Sequence, residues 1–222
     1  MPHFTTSDGL SLYFDDTGGP GPIVLCLSGL TRNASDFDYV RPHLKDARVI
    51  RMDYRGRGQS EWAEDFTTYN LVREAQDALE LLDHLGIEKA AILGTSRGGL
   101  IALTLKEMAP DRLTGVCFND VGPVIETDGL EVILVFIGPK PVWTTRAEAA
   151  EALATRLPGF HNVPASRWAE EAAHHFVETA DGLNINYDPK LRNAVLAEFD
   201  PKAPAGDMWP QFEKLSGRPL AV

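Results

Sequence analysis

The sequence predicts an α/β fold in which helices cover both faces of a doubly wound, mostly parallel sheet. Short apolar runs without polar alternation recur over the first 120 residues, helical patterns lie between them, and helical patterns dominate after Gly122. Runs that are apolar throughout are typical of parallel strands buried on both faces. Because 222 residues with 44% hydrophobic composition can bury one sizeable core, we expect one fold with a helical insertion.

The strands follow in order from the N-terminus. HFTT and LSLYF alternate around a Ser7-Asp8-Gly9 turn before the loop TGGPGP, which predicts an antiparallel hairpin at an edge of the sheet. Four buried parallel strands are then predicted from the apolar runs at residues 22–28, 47–54, 89–95 and 112–120.

Helical periodicity is clearest before the third parallel strand. Gly86 follows this pattern and is placed to end the helix as a left-handed cap. A shorter helix is predicted at residues 35–44, and another at 100–110 stops at Pro110. The apolar positions of the main helix recur every three or four residues, at Leu71, Ala75, Ala78, Leu82 and Leu85.

Three regions follow from this pattern. Residues 1–122 form the N-terminal part of the sheet and its helices, and 123–200 form a helical cap or lid insertion. Residues 201–222 return to the core and begin a further buried strand near Arg218. We therefore expect the C-terminal strands and helices of the fold to be missing from this chain. The helices of the insertion are predicted in RAEAAEALATRL, SRWAEEAAHHFVET and DPKLRNAVLAEF.

Charge and motifs narrow the function classes. With 32 acidic and 21 basic residues, a formal charge of -11 disfavours nucleic acid and anionic membranes as partners. The N-terminus shows no secretion signal, so a cytoplasmic location is expected, and Cys26 and Cys117 are expected as buried, unpaired thiols. No HExxH, CxxC or carboxylate cluster indicates a metal, and no cofactor is expected.

The stretch GTSRGG carries the strongest functional signal. Gly94, Ser96 and Gly98 match G-x-S-x-G where a predicted strand passes into a helix. In this motif a serine at a sharp, strained turn presents its hydroxyl as a nucleophile, and the helix N-terminus faces the reacting atoms. The alternative is a tight turn in which Ser96 merely caps the helix.

LSGLTRNASDF, MDYRGRGQS and GTSRGG together resemble the α/β-hydrolase superfamily, in particular its cofactor-free esterase, enol-lactonase and carbon–carbon-bond hydrolase branch. The resemblance implies an oxyanion hole formed by the backbone N–H groups of Leu30 and Arg97. Ser28 stands where the family usually has histidine, and we expect its side chain to form a local hydrogen bond. Arg55 and Arg57 are expected in scaffold ion pairs or, alternatively, on a substrate carboxylate.

The resemblance also implies the chain order serine, acid, histidine. We expect the acid and the histidine beyond Val222, on further residues or on a second polypeptide. Asp120 after the strand at 112–120 is an alternative acid, although it could instead bond to the turn before Pro123. The histidines after Ser96 are expected at the surface or in the lid, and they are His161, His174 and His175.

These observations predict a serine hydrolase that cleaves a small ester, lactone or related acyl substrate through an acyl-enzyme on Ser96. A carbon–carbon-bond hydrolase of the same fold and a non-catalytic ligand-binding protein remain alternatives. Trp143 and Phe160 of the insertion are candidates for the substrate pocket, and the same aromatic residues could equally form the core of the lid together with Trp168 and Phe176.

Overall fold

A computed structural model describes residues 2–125, 133–156, 159–198 and 206–222. Its main sheet has seven strands, and two short two-stranded sheets accompany it. The strands in the described ranges are β1 (His3–Thr5), β2 (Ser11–Asp16), β3 (Ile23–Leu27), β4 (Arg48–Met52), β5 (Ala90–Thr95), β6 (Leu113–Asn119), β7 (Val124–Ile125), β8 (Phe176–Thr179), β9 (Gly182–Ile185), β10 (Gly206–Asp207) and β11 (Leu220–Ala221).

The main sheet has the order β1-β2-β4-β3-β5-β6-β11. β1 and β2 form an antiparallel hairpin at one edge, and the pairings from β4 to β11 are parallel. The predicted edge hairpin and the four predicted parallel strands are therefore confirmed. Gly94 of β5 lies opposite Leu27 of β3 and Phe118 of β6. This register brings the loops that follow these three strands to the same edge of the sheet.

Helices α1 and α2 contact one another and pack with the sheet in its principal hydrophobic core. Gly86 has a φ of +66° and follows α1, as its predicted role as a cap requires. At residues 35–44 two 3₁₀ turns replace the single predicted helix, because Pro42 has no N–H to donate to the preceding turn of an α-helix. The helices are α1 (Leu71–His84), α2 (Arg97–Met108), α3 (Arg146–Arg156), α4 (Ala165–His175), α5 (Leu191–Glu198) and α6 (Trp209–Glu213).

The helical segment, defined here as residues 133–198, supplies most of a second hydrophobic core, which also includes Ala63 and Tyr69 of the sheet region. The prediction of one helix through SRWAEEAAHHFVET is wrong, because α4 ends at His175 and β8 and β9 form a hairpin. The two-residue turn Ala180-Asp181 connects the two strands, and Gly182 at the start of β9 adopts a φ of +102°. The predicted boundary between residues 200 and 201 lies outside the described residues.

The strand predicted near Arg218 exists as β11, which pairs in parallel with β6. It has only two residues, and Leu220 is 43% exposed. The expectation of a buried strand is not met within the described residues, since β11 pairs with β6 alone among the described strands and forms an edge of the sheet. Cys26 is buried as expected, whereas Cys117 is half-buried.

Among the described helices, none combines the length and the apolar character needed to cross a membrane.

Candidate active site

Ser96 lies at the sharp turn between β5 and α2. Its backbone has φ 49° and ψ -113°, a strained conformation for a residue with a side chain. The Ser96 N–H donates to the carbonyl of Asn119 at 2.9 Å, which ties the turn to the end of β6. The half-buried serine makes no side-chain bond to cap α2, so its interpretation as a simple helix cap is wrong.

The glycines on either side of Ser96 allow a close approach between strand and helix. A Cβ on Gly94 would lie 2.6 Å from the backbone carbonyl of Gly98. A Cβ on Gly98 would overlap the carbonyl oxygen of Leu27 in β3. The spacing of the motif thus reflects a steric requirement of the turn.

The loop after β3 lies directly against this turn. A Cβ on Gly29 would be 4.0 Å from the Cβ of Ser96. The Leu30 N–H follows immediately along the loop, and the Arg97 N–H is the first of α2, where helical N–H groups have no intrahelical acceptor. The two backbone amides predicted for an oxyanion hole therefore belong to the residues that directly follow Gly29 and Ser96, where the two segments come close together.

Ser28 differs from its predicted behaviour. Its hydroxyl oxygen is buried and has no hydrogen-bond partner among the described residues, so the expected local hydrogen bond is not formed. The Ser28 carbonyl instead accepts a hydrogen bond from the Tyr54 hydroxyl at 3.1 Å. The backbone is thus the part of Ser28 that fixes the loop.

Neither Arg55 nor Arg57 is available to a substrate, because both side chains are buried in ion pairs. Arg55 Nε donates to Asp77 at 2.6 Å, and Arg55 Nη1 to Asp8 at 2.9 Å. Arg57 Nη1 lies 2.6 Å from Glu74 Oε1. The scaffold interpretation of these arginines is confirmed, and the substrate-carboxylate alternative is wrong.

Glu74 connects the loop of Leu30 with the turn of Ser96. Its second oxygen accepts from Arg97 Nε at 2.6 Å, while Arg57 Nε donates to the carbonyl of Leu30 at 3.0 Å. Burial alone would raise the pKa of the Glu74 carboxyl, but the charges of Arg57 and Arg97 outweigh it and hold the pKa below its ordinary value. Glu74 is therefore an ionised carboxylate shared by two guanidinium groups.

Asp120 directly follows β6, at the sheet edge that carries Ser96. It is exposed, has a φ of +56° and makes no hydrogen bond to a described residue. The expected bond from its side chain to the turn before Pro123 is thus absent. Its possible role as the acid stays a prediction.

The three histidines that follow Ser96 lie in the helical segment, and none of them hydrogen bonds to Ser96. His161 is exposed, and His174 Nε2 lies 3.9 Å from Asp38. His175 Nε2 lies 3.4 Å from Glu171. Burial, together with the charge of Arg32, lowers the pKa of His175 to about 4.

The two aromatic candidates for the substrate pocket occupy different environments. Trp143 is half-buried, packs edge-on against Phe176 at 5.8 Å and carries the guanidinium of Arg156 over its ring. Phe160 is 63% exposed and contacts Trp168 edge-on at 6.2 Å. Their contacts are with the core of the helical segment, and a substrate role stays a prediction for both.

A cleft of about 500 Å³ lies between the start of α1 and the end of α5. Tyr69 lines it beside Glu198, and the Tyr69 carbonyl accepts from Arg97 Nη2 at 3.2 Å. The cleft therefore lies close to the arginine that follows Ser96. No group of three or more metal-ligating side chains occurs within the described ranges.

The sequence profile of the family described as alpha/beta hydrolase fold matches residues 22–210. The chain belongs to this family. The match includes the loop of Leu30, the turn of Ser96 and most of the helical segment.

Two curated relatives in this family are named as hydrolases. The 3-hydroxybutyrate-oligomer hydrolase of Cupriavidus necator is 32% identical over 207 residues, which cover 90% of this chain and 71% of the relative. The 2-(acetamidomethylene)succinate hydrolase of Mesorhizobium japonicum is 32% identical over 182 residues, covering 81% of this chain and 62% of the relative. The chain thus spans about two thirds of the lengths of these proteins.

A crystal structure of an alpha/beta hydrolase from Novosphingobium aromaticivorans is also similar. It superposes with a TM-score of 0.87 at 37% identity, covering 99% of this chain and 78% of the other. This similarity supports the family assignment along nearly the whole chain.

Glu74 is the site neighbour that the sequence interpretation missed. It lies on α1 three residues after Leu71 and one before Ala75, among residues of the apolar face. A carboxylate at a buried helix position requires a cationic partner. A glutamate on the apolar face of α1, together with the arginines of DYRGRGQS, was the sequence signal that could have predicted a buried ion pair here.

Proposed function

We propose that the protein is a serine hydrolase that cleaves an ester or lactone through an acyl-enzyme on Ser96. The observation that carries this proposal is the strained turn of Ser96, with a φ of 49°, set against the Gly29 loop. A nucleophilic serine needs an accessible hydroxyl beside donors for the developing oxyanion, and the sharp turn of the half-buried Ser96 next to the loop of Leu30 supports this role.

In the proposed reaction, Ser96 Oγ attacks the carbonyl carbon while a histidine takes its proton. The N–H groups of Leu30 and Arg97 bind the oxyanion of the tetrahedral intermediate. When the intermediate collapses, the C–O bond to the leaving alcohol breaks and the histidine returns the proton to that oxygen. Water then attacks the carbonyl of the acyl-enzyme while the histidine takes its proton. The histidine returns that proton to Ser96 Oγ as the acid product leaves.

The histidine and the acid complete the proposal. Since no histidine in the described ranges hydrogen bonds to Ser96, we place the base after Val222 or on a second polypeptide, and the acid in the same place. Asp120 is the alternative acid, because it follows β6 at the sheet edge of Ser96 and its side chain has no other partner there.

The substrate class follows from the named relatives and from the helical segment. The relative from Cupriavidus necator acts, by its name, on 3-hydroxybutyrate oligomers, so short hydroxy-acid esters are the first substrates to test. We propose that the helical segment covers the site as a lid, with Phe160 and Trp143 contributing apolar contacts to the acyl group. No cofactor takes part in these steps.

Hydrolysis of p-nitrophenyl butyrate and of a 3-hydroxybutyrate dimer by the full-length protein tests the proposal. Ser96→Ala should lower kcat by roughly 10⁴-fold or more, whereas Ser216→Ala, at an exposed serine, should leave it unchanged. Cleavage restricted to a β-diketone would favour carbon–carbon-bond hydrolysis. Binding without turnover of any substrate would favour a ligand-binding protein.

A further inference from the structure

Two buried arginines lie two residues apart in the loop after β4 and differ in their hydrogen-bond partners. Arg55 and Arg57 are both 0% exposed, and each pairs with a carboxylate of α1. The side chain of Arg55 contacts Asp77 and Asp8, whereas Arg57 also reaches the carbonyl of Leu30. One arginine therefore serves the scaffold, and the other is bonded to a residue of the candidate oxyanion hole.

The first contact path runs from Glu74 to the loop after β3. Glu74 Oε1 lies 2.6 Å from Arg57 Nη1, and Arg57 Nε donates to Leu30 O at 3.0 Å. The contact with Glu74 Oε1 is an ion pair, and the hydrogen bond of Arg57 Nη1 goes to the carbonyl of Arg55 at 2.6 Å. Because a guanidinium is a planar fork, these bonds fix its direction as well as its position.

The second contact path runs from Glu74 to the turn of Ser96. Glu74 Oε2 accepts from Arg97 Nε at 2.6 Å, and Arg97 Nη2 donates to the carbonyl of Tyr69 at 3.2 Å. Arg97 is the first residue of α2 and follows Ser96 directly. Its side chain is thus held by α1, while its backbone N–H lies beside the nucleophile.

Both paths end on the residues whose backbone amides are assigned to the oxyanion. The Arg57–Glu74–Arg97 network, defined by these three side chains, is buried, with exposures of 0%, 0% and 8%. A donor pair stabilises a transition state only if both N–H groups are held where the negative charge develops. One carboxylate that fixes both sides would set the separation of the two donors.

We propose that Glu74 is a positioning residue for the oxyanion hole, acting on Leu30 through Arg57 and on the Ser96 turn through Arg97. The inference rests on the proposed function and adds to it the group that sets the geometry of the hole. Asp77, one helical turn after Glu74, is its structural counterpart, because the side chains paired with it, those of Arg55 and Arg73, make no hydrogen bond to Leu30 or Arg97 within the described residues.

The matched pair Arg57→Lys and Arg55→Lys tests this in the full chain. Each lysine keeps the positive charge beside its carboxylate and loses the fork that reaches a second acceptor. We expect Arg57→Lys to lower kcat for p-nitrophenyl butyrate by about 10- to 100-fold with KM changed less than threefold. Arg55→Lys should change both constants less than threefold.

An inhibitor that forms an oxyanion separates positioning from general destabilisation. A trifluoromethyl ketone adds to a serine and places its oxygen in the hole, so its Ki should rise in Arg57→Lys by the same factor by which kcat falls. In Arg55→Lys the Ki should stay within threefold of the unchanged protein. Both variants should lower Tm to a similar extent, because both weaken a buried ion pair.

A second pair of variants replaces the two carboxylates of α1, and it provides the same test if Arg57→Lys does not fold. Glu74→Gln and Asp77→Asn each remove a fully buried charge from the same face of α1. Glu74→Gln should reproduce the fall in kcat and the rise in Ki, whereas Asp77→Asn should lose stability alone.

The outcomes distinguish the inference from the proposed function. If Ser96→Ala is inactive while both members of each pair lose kcat equally, or neither loses it, the positioning role is wrong and the serine mechanism stands. If Ser96→Ala keeps full activity, the proposed function itself fails.

Discussion

The parallel sheet with its turns and the helical segment are stabilised in different ways. In the sheet region Arg55, Arg57 and Glu74 are fully buried and paired. In the helical segment the ion pairs of Arg167 with Glu170 and Glu171 lie at partly exposed side chains, and the buried cluster is mainly apolar. Buried ion pairs thus stabilise the loops of the sheet region, whereas the helical segment relies more on apolar packing, and its buried Asp188 bonds to the Tyr69 hydroxyl.

The loop after β4 joins these two regions. The N–H of Gly58 donates to the carbonyl of Asn186 at 3.0 Å, and the N–H of Asp188 donates to the carbonyl of Gly56 at 2.8 Å. The Tyr69 hydroxyl donates to Asp188 at 2.7 Å. The loop that carries Arg55 and Arg57 is therefore bonded to the helical segment on one side and to Leu30 on the other.

The largest expected effect is the difference in unfolding free energy lost when a buried ion pair and a partly exposed one are removed. Glu74→Gln leaves two buried guanidinium groups without their carboxylate and should lower the free energy of unfolding by about 3–5 kcal/mol. Glu170→Gln, at a side chain that is 52% exposed, should lower it by less than about 1 kcal/mol. Urea unfolding measures both values, and equal losses would contradict the comparison.

Apolar packing in the helical segment can be tested at two aromatic residues in contact. Trp168 is 8% exposed, and Trp168→Ala should lower the free energy of unfolding by about 3 kcal/mol through the cavity it leaves. Phe160→Ala removes a ring that is 63% exposed and should cost less than about 1 kcal/mol. Chemical denaturation followed by circular dichroism provides the test, and a larger loss at Phe160 would refute it.

Close backbone approach should be required at Gly98 in the sheet region and not at Gly159 in the helical segment. Ala at position 98 would overlap the Leu27 carbonyl, so Gly98→Ala should cost about 2 kcal/mol and reduce ester hydrolysis. A Cβ at Gly159 meets no atom within 4 Å, so Gly159→Ala should leave stability and activity nearly unchanged. Thermal unfolding and initial rates of ester hydrolysis measure both variants. A Gly98→Ala variant as stable and as active as Gly159→Ala would contradict this expectation.

The smallest effect is a pH dependence in the helical segment. The pKa of His175 is lowered to about 4 in the folded protein, so between about pH 6.5 and 4 the unfolded chain binds the proton more strongly. The free energy of unfolding should therefore fall as pH decreases through this range, by about 1 kcal/mol from this partly exposed group.

His175→Gln should remove that part of the pH dependence, and His161→Gln, at an exposed side chain, should retain it. Urea unfolding at pH 7 and pH 5 compares them. An unchanged slope in His175→Gln would show that other groups cause the loss.

The sequence predicted the sheet region more completely than the helical segment, for physical reasons. Apolar runs and the glycine spacing around Ser96 are local signals, so β3 to β6 and the turn were found at nearly their observed bounds. The strand β8 was missed because FVET continues a helical pattern, and its pairing with β9 depends on a contact across the Ala180-Asp181 turn.

The network around Glu74 illustrates the limit for the site. The sequence indicated that Arg55 and Arg57 pair with carboxylates, but not which carboxylate each arginine meets. Which carboxylate each arginine meets depends on how α1 packs on the sheet. In this packing Arg57, and not Arg55, donates to the carbonyl of Leu30. Ser28 shows the same limit, since its unpartnered hydroxyl follows from the tertiary surroundings of the loop.

The central claim is that Ser96 is an activated nucleophile. Its most direct test is peptide mapping by mass spectrometry after treating the full-length, ester-hydrolysing protein with a fluorophosphonate. One stoichiometric adduct is expected on Ser96, formed at the rate at which esterase activity is lost. An adduct on another residue, or loss of activity without modification of Ser96, would contradict it.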